Sequence, residues 1–256
     1  MSKSKLKKKR SGNLMNYNGA KMKSALITKT LEDLYNLPAF AKVKNDFKRN
    51  GVNPEDLNVA LGYQFNTFPE QEEVKYTRYV QLHNNQNTAQ IVFSVTEPIK
   101  GQKEYTLISN LKKEEKQNGN IVVAQNVLRD KEVIEKELLF DTENYNQLFE
   151  ETHVEEDINF AAFEEPIKAQ WSFSGCAPGI PHYEHCGPGC GIGLTYGGGT
   201  PINSTDTCCR GHDACWKMFG NGDACCDKEF LKCLEGKTTV TADIAQAWFS
   251  SNAKKC

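Results

Sequence analysis

The stretch CCRGHDACW, residues 208–216, sets three cysteines, a histidine and an aspartate within nine positions. Cys208, His212 and Cys215 stand at i, i+4 and i+7, one face of a helix. Asp213, the next residue after His212, points about 100° away from that face. The surrounding pattern predicts two helices, TDTCCRGHDACWKMF (205–219) and DACCDKEFLKCL (223–234), broken by Gly220-Asn221-Gly222. In an antiparallel helix pair, residues equally far from the turn lie side by side. Cys208 then faces Cys233, Cys215 faces Cys226, and His212 faces Asp227. Two disulfides would brace the hairpin on either side of a His–Asp contact.

The chain has 256 residues and a formal net charge of −2. It has no nucleic-acid-binding signature, and the near-neutral balance argues against an obligate nucleic-acid partner. No run approaches the roughly 20 apolar residues of a bilayer-spanning helix. All 10 cysteines fall between Cys176 and Cys256. Such density in a short segment reads as a disulfide-stapled module of an oxidising compartment. A zinc module would prefer C-x-x-C or H-x-x-x-H pairs, and neither occurs.

Upstream, residues 1–23 are basic and Gly/Asn-rich, and the expectation is a disordered tail. The Lys-rich residues 3–10 have the charge to meet an anionic membrane, but a flexible tail is the favoured reading. Secretion is expected, although no apolar segment of a classical signal peptide follows the basic stretch. Residues 24–165 read as an α+β domain of unknown role. Ile27, Leu31 and Leu34, then Phe40, Val43 and Phe47, have helical spacing. Strand-like runs follow at 74–82, 89–96, 104–111 and 120–128, separated by turn residues, which suggests an antiparallel meander. Residues 129–165 are strongly acidic, expected as a helix and then a solvated linker. A boundary near 165–172 leads into the cysteine module, residues 166–256. Prosegment, inhibitor, chaperone and targeting module all remain open for it; the acidic linker and cysteine-free composition motivate the reading of a prosegment that binds its own C-terminal domain and keeps it inactive.

A histidine with a carboxylate on one ring nitrogen has its tautomer set and its other nitrogen free to take a proton. No serine or free cysteine offers itself as nucleophile, which leaves water. An electrophile is then needed. HCGPGCGIG (185–193) and YGGG (196–199) present backbone with little side-chain hindrance. Carbonyls from such loops, with Asp213, suit a hard cation such as calcium, which beside His212 would stabilise an oxyanion. His182 and His185 read as loop histidines in their own right. Trp171, Phe173, Phe219, Trp248 and Phe249 suit equally an acyl-chain entrance or the module's core.

The segment GTPINSTDTCCRGHDACW resembles the CCxxHDxC active-site helix of secreted phospholipases A2 and the segment leading into it. CCDKEFLKCL resembles the family's partner helix, and HCGPG its calcium loop. The stretches TDTCCRGHDAC, CDKEFLKCL and TADIAQAWF resemble most the bee-venom-type branch. The likeness covers residues 171–256 and leaves the N-terminal region unrecognised. It implies a small, disulfide-rich, mainly α domain with two antiparallel helices, following the α+β domain. It also implies calcium-dependent hydrolysis of the sn-2 ester of glycerophospholipids at a membrane surface, with peripheral attachment. His212 would be the general base and Asp227 its partner. Asp213 and the carbonyls of His185, Gly187 and Gly189 would hold Ca2+. The implied bridges are Cys186–Cys209, Cys208–Cys233 and Cys215–Cys226, leaving Cys176, Cys190, Cys225 and Cys256 with three possible pairings.

The sequence departs from the family in several places. Cys190 opens a second glycine register, Cys190-Gly191-Ile192-Gly193. Trp216 replaces a common tyrosine, which would remove a hydroxyl from the support of the site. The alternative to an enzyme is a non-catalytic toxin, bacteriocin-like or lipid-binding module on the same scaffold.

Overall fold

A computed structural model describes residues 17–67, 73–129, 131–146, 148–149, 160–163, 176, 183–187, 190–192, 194 and 197–256. The expected boundary near 165–172 lies outside them. An antiparallel sheet in the N-terminal region is followed by a disulfide-rich helical C-terminal region with five disulfides.

Among the described residues, seven strands run in sequence order across one sheet: β1 (Tyr17–Lys21), β2 (Asn58–Thr67), β3 (Lys75–His83), β4 (Ala89–Pro98), β5 (Glu104–Glu115), β6 (Ile121–Arg129) and β7 (Glu132–Phe140). Each adjacent pair is antiparallel. Between β1 and β2 lie α1 (Ser24–Asn36) and α2 (Phe40–Arg49), as the helical spacing predicts. They cover one face of the sheet. Leu34, Phe40, Val43 and Phe47 pack with Val80, Leu82, Ile91, Phe93 and Leu107 in one apolar cluster. Side chains of this size contribute roughly 1.5–3 kcal/mol each when fully buried.

The opposite face is buried as well, and by the other half of the chain. Tyr63, Phe65, Tyr79, Val92, Ile108 and Val127 form one cluster with Val240 and Ile244 of α6 (Val240–Ala253). That explains why β3 and β4 are buried at nearly every position despite alternating polar residues. A row of buried amides on this face is hydrogen-bonded along its length. Asn110 Nδ2 donates to Gln90 Oε1 at 2.9 Å, and Gln125 Nε2 donates to Asn110 Oδ1 at 2.9 Å and to the Gly236 carbonyl at 3.0 Å. At the other end of this row, Gln81 and Gln90 both donate to the Leu148 carbonyl. A buried amide row stays affordable only when bonded in this way.

Three strands depart from the sequence reading. Tyr17–Lys21, expected within the disordered tail, pairs with β2 from Tyr17↔Thr67 to Lys21↔Tyr63. Its segment has no alternation of its own. It is templated by β2, and Gly19 lies so close to the Tyr63 ring that a Cβ there would clash. β2 itself carries the alternating Leu61, Tyr63 and Phe65 on the α6-facing side. Residues 132–140, expected as helix, form the edge strand β7, followed by the short α3 (Thr142–Asn146). The Glu and Lys of EVIEKELLF suit an edge, because charge discourages pairing with another chain. Of the expected acidic linker, Ala161 and Phe163 are fastened to the sheet by Asn66, through bonds of 2.8 and 3.1 Å.

Candidate active site

Two helices carry the residues of interest, α4 (Ser204–Phe219) and α5 (Ala224–Leu234). Each begins at a capping side chain. Asn203 accepts from the Asp206 amide, and Asp223 accepts from the amides of Cys225 and Cys226. The intervening turn needs its glycines, since Gly220 and Gly222 have φ of 113° and 83°. Cys208–Cys233 and Cys215–Cys226 join the two helices, and Cys186–Cys209 joins the preceding loop to α4. The remaining four cysteines pair as Cys176–Cys190 and Cys225–Cys256. No cysteine is left for a metal.

Between the two bridges of the hairpin, His212 Nε2 lies 2.8 Å from Asp227 Oδ1. A carboxylate only accepts, so Nε2 carries the hydrogen and Nδ1 the lone pair. Nδ1 has no hydrogen-bond partner among the described residues. The imidazole is 6% exposed. It stacks on Phe230 at 4.2 Å and 8°, with Trp216 at 4.3 Å and Phe249 at 4.9 Å. Asp227 is 1% exposed and receives two further donors: Trp216 Nε1 on Oδ1 at 3.1 Å and Asn252 Nδ2 on Oδ2 at 2.7 Å. With both its oxygens held, the carboxylate is fixed in plane and keeps the ring in one orientation.

The loop beside the pair is held by a carboxylate that sequence reasoning did not single out. Asp206, fully buried, accepts backbone N–H groups from Glu184 at 3.0 Å, His185 at 2.7 Å, Cys186 at 3.1 Å and Ile202 at 3.1 Å. His185 is buried, with Nε2 at 2.9 Å from the Gly199 carbonyl and Nδ1 unpartnered. The Gly187 carbonyl accepts from Cys190 N at 3.2 Å. Gly189 lies outside the described residues, as do His182, Trp171 and Phe173. Trp248 and Phe249 pack in or against the core of the helical region, whereas Phe219 is exposed.

Asp213 faces this loop. Its Oδ2 is buried without a partner. Burial, and then the charge of Asp206, push its carboxyl up to about 7. The loop backbone comes so close that a Cβ on Gly191 would stand 2.9 Å from Oδ2. Gly191, the glycine seen against Asp213, belongs to the second register, Cys190-Gly191-Ile192-Gly193. An orphaned, desolvated carboxylate oxygen against a glycine backbone is a donor set that fits a hard cation with oxygen ligands. No group of three or more His, Cys, Asp or Glu side chains forms a metal cluster among the described residues, so such a site would draw mainly on backbone oxygen.

Residues 178–252 match a family model described as a phospholipase A2-like domain. The match spans the helical C-terminal region, under a third of the chain. No curated protein and no solved structure gives a significant match to the chain. The five disulfides and the phospholipase A2-like domain fit an extracellular protein. No helix among the described residues is long and apolar enough to cross a membrane.

Two supports of this site differ from the sequence reading. Trp216 was expected to weaken the support by lacking a hydroxyl, yet its indole N–H donates to Asp227 in that role. Asn252 was not foreseen. It stands 25 residues beyond Asp227 in the sequence, and only the return of α6 brings it there. No local pattern marks such a residue.

Proposed function

We propose that the phospholipase A2-like domain hydrolyses the sn-2 ester of glycerophospholipids at a membrane surface, with Ca2+ as cofactor. The observation that carries this reading is the 2.8 Å contact of His212 Nε2 with Asp227, which leaves Nδ1 as a base. Nδ1 takes a proton from water as the water oxygen attacks the ester carbonyl carbon. Asp227 stabilises the resulting imidazolium and prevents the ring from turning. His212 then returns the proton to the departing glycerol oxygen as the acyl C–O bond breaks, giving a fatty acid and a lysophospholipid. Phe230, Phe249 and Trp216 pack around the ring and limit its contact with bulk water. Asp213, with backbone carbonyls of His185, Gly187 and Gly189, would hold the cation, and Gly191 belongs to the same loop. When bound, calcium supplies positive charge that favours the developing oxyanion.

The test uses the full-length, oxidised chain on phospholipid vesicles carrying an sn-2 reporter. Fatty acid release is expected with calcium, with none after chelation, and His212→Gln is expected to lower it about 100-fold to 10,000-fold. Vesicle damage that survives both treatments without ester cleavage would instead mark a non-catalytic membrane-active module.

A further inference from the structure

Asp227 holds His212 through one oxygen, and its other oxygen is held by α6. The carboxamide of Asn252 donates both to Asp227 Oδ2 at 2.7 Å and to the Gly222 carbonyl at 3.0 Å. One side chain thus ties the carboxylate on α5 to the turn between α4 and α5. Asn252 lies in the last turn of α6, where a helix frays unless its free carbonyls are engaged.

What engages that turn comes from the sheet. Lys75 of β3, only 8% exposed, donates to the Ala247 carbonyl at 3.4 Å, to Ser250 Oγ at 3.1 Å and to Ser251 Oγ at 3.2 Å. A cation is favoured at this end of a helix, where the dipole is negative. The register of α6 on the sheet is set at its other end. There Tyr79 Oη donates to the Thr238 carbonyl at 2.7 Å and Ser94 to Asp243 at 3.1 Å. Val240 and Ile244 are buried in the sheet's own cluster. A continuous series of contacts therefore runs from Lys75 through Ser250 and Ser251 to the turn bearing Asn252, then to Asp227 and His212.

We infer that Lys75 and Asn252 are positioning residues: the sheet sets the last turn of α6 so that Asn252 holds Asp227 in the orientation that serves His212. The inference rests on the reading of His212 as the base. It gives the sheet a supporting role, opposite in sign to that of an inhibitory prosegment.

The test compares full-length Asn252→Leu, Lys75→Met, Lys75→Arg and the double variant Ser250→Ala, Ser251→Ala. Asn252→Leu keeps the branched four-atom skeleton and removes both donated hydrogen bonds. It is expected to lower kcat about tenfold to a hundredfold, with KM for vesicles unchanged. Lys75→Met and the double serine variant are expected to lower kcat in the same way, and Lys75→Arg to restore it. Mapping of the disulfides and thermal denaturation identify any variant that has lost its fold, and the mild serine variant covers that case for Lys75→Met. A second readout does not depend on turnover. The Nε2–H proton of His212 is expected as a resolved, slowly exchanging NMR signal in the unaltered chain and as a fast-exchanging one in Asn252→Leu and the double serine variant. If the unaltered chain cleaves no phospholipid, the functional reading fails while the NMR comparison still decides the positioning. Unchanged turnover and an unchanged Nε2–H signal in both variants would overturn the inference. So would a rise in turnover on loosening Lys75.

Discussion

Ser94 Oγ donates to Asp243 Oδ1 at 3.1 Å, joining β4 to α6 through a carboxylate whose Oδ2 is buried without a partner. Burial pushes this carboxyl up to about 7, against the lowering effect of the Ser94 hydrogen bond. The folded chain therefore keeps a proton that an unfolded carboxylic acid releases near pH 4. With more protons bound in the folded state, this group's contribution is fully present below about pH 4 and is lost as pH rises towards 7. The neighbouring Tyr79 hydroxyl feels the same charge and is held well above its ordinary range, mainly by burial. Asp243→Asn keeps the shape without the charge. Thermal denaturation from pH 5 to 8 should show a smaller loss of stability in the variant, and a higher Tm than the unaltered chain at pH 8. Equal pH slopes for the two proteins would refute this account.

A second contact between the sheet and the helical region depends on a missing side chain. Gly236 follows α5 with φ of 78°, and a Cβ there would collide with the Gln125 carboxamide that donates to the Gly236 carbonyl. Gly236→Ala meets both a left-handed backbone and a clash with the end of the buried amide row. The expected loss is about 1–3 kcal/mol in equilibrium urea unfolding. Gly51→Ala provides the control, because that residue shares the positive φ of 74° but has open space around it. A larger loss at Gly51 than at Gly236 would show that the fit against Gln125 is unimportant.

How much of this was readable before the structure depends on whether a feature is local. The α4–α5 hairpin was legible because Gly220-Asn221-Gly222 breaks it cleanly, and an antiparallel pair brings His212 to Asp227 by simple register. Strands β3 to β6 announced themselves through Val, Ile, Tyr and Phe between turn residues, whereas the inner strand β2 went unread. β1 did not announce itself either, since Tyr17–Lys21 becomes a strand only because β2 offers it an edge. β7 was obscured by its charge, which suits an exposed edge as well as a helix. Asp206, Asn252 and Lys75 act through tertiary packing. Their partners lie about 20, 25 and 175 residues away, and no periodicity within one element reports such a contact. The burial of the second sheet face by α6 belongs to the same class, as it joins two regions whose compositions suggested independence.

Asp213 Oδ2 is buried without a partner, and calcium tells a cation site from a merely strained carboxylate. Without a cation, burial and Asp206 hold the Asp213 carboxyl up at about 7. Ionising it then costs stability as pH rises, so Asp213→Asn at pH 8 should be at least as stable as the unaltered chain when both are free of calcium. Adding calcium should reverse that order. A ligand that binds only the folded state stabilises by RT ln(1 + [L]/Kd), about 2.7 kcal/mol at a hundredfold excess over Kd. The unaltered chain should therefore gain Tm with calcium in scanning calorimetry, while Asp213→Asn gains almost nothing. The crossing of the two curves is the diagnostic result, because the loss of a structural contact alone would make the variant less stable in both conditions. Equal calcium responses would remove Asp213 from the ligand set and leave its buried oxygen without a role.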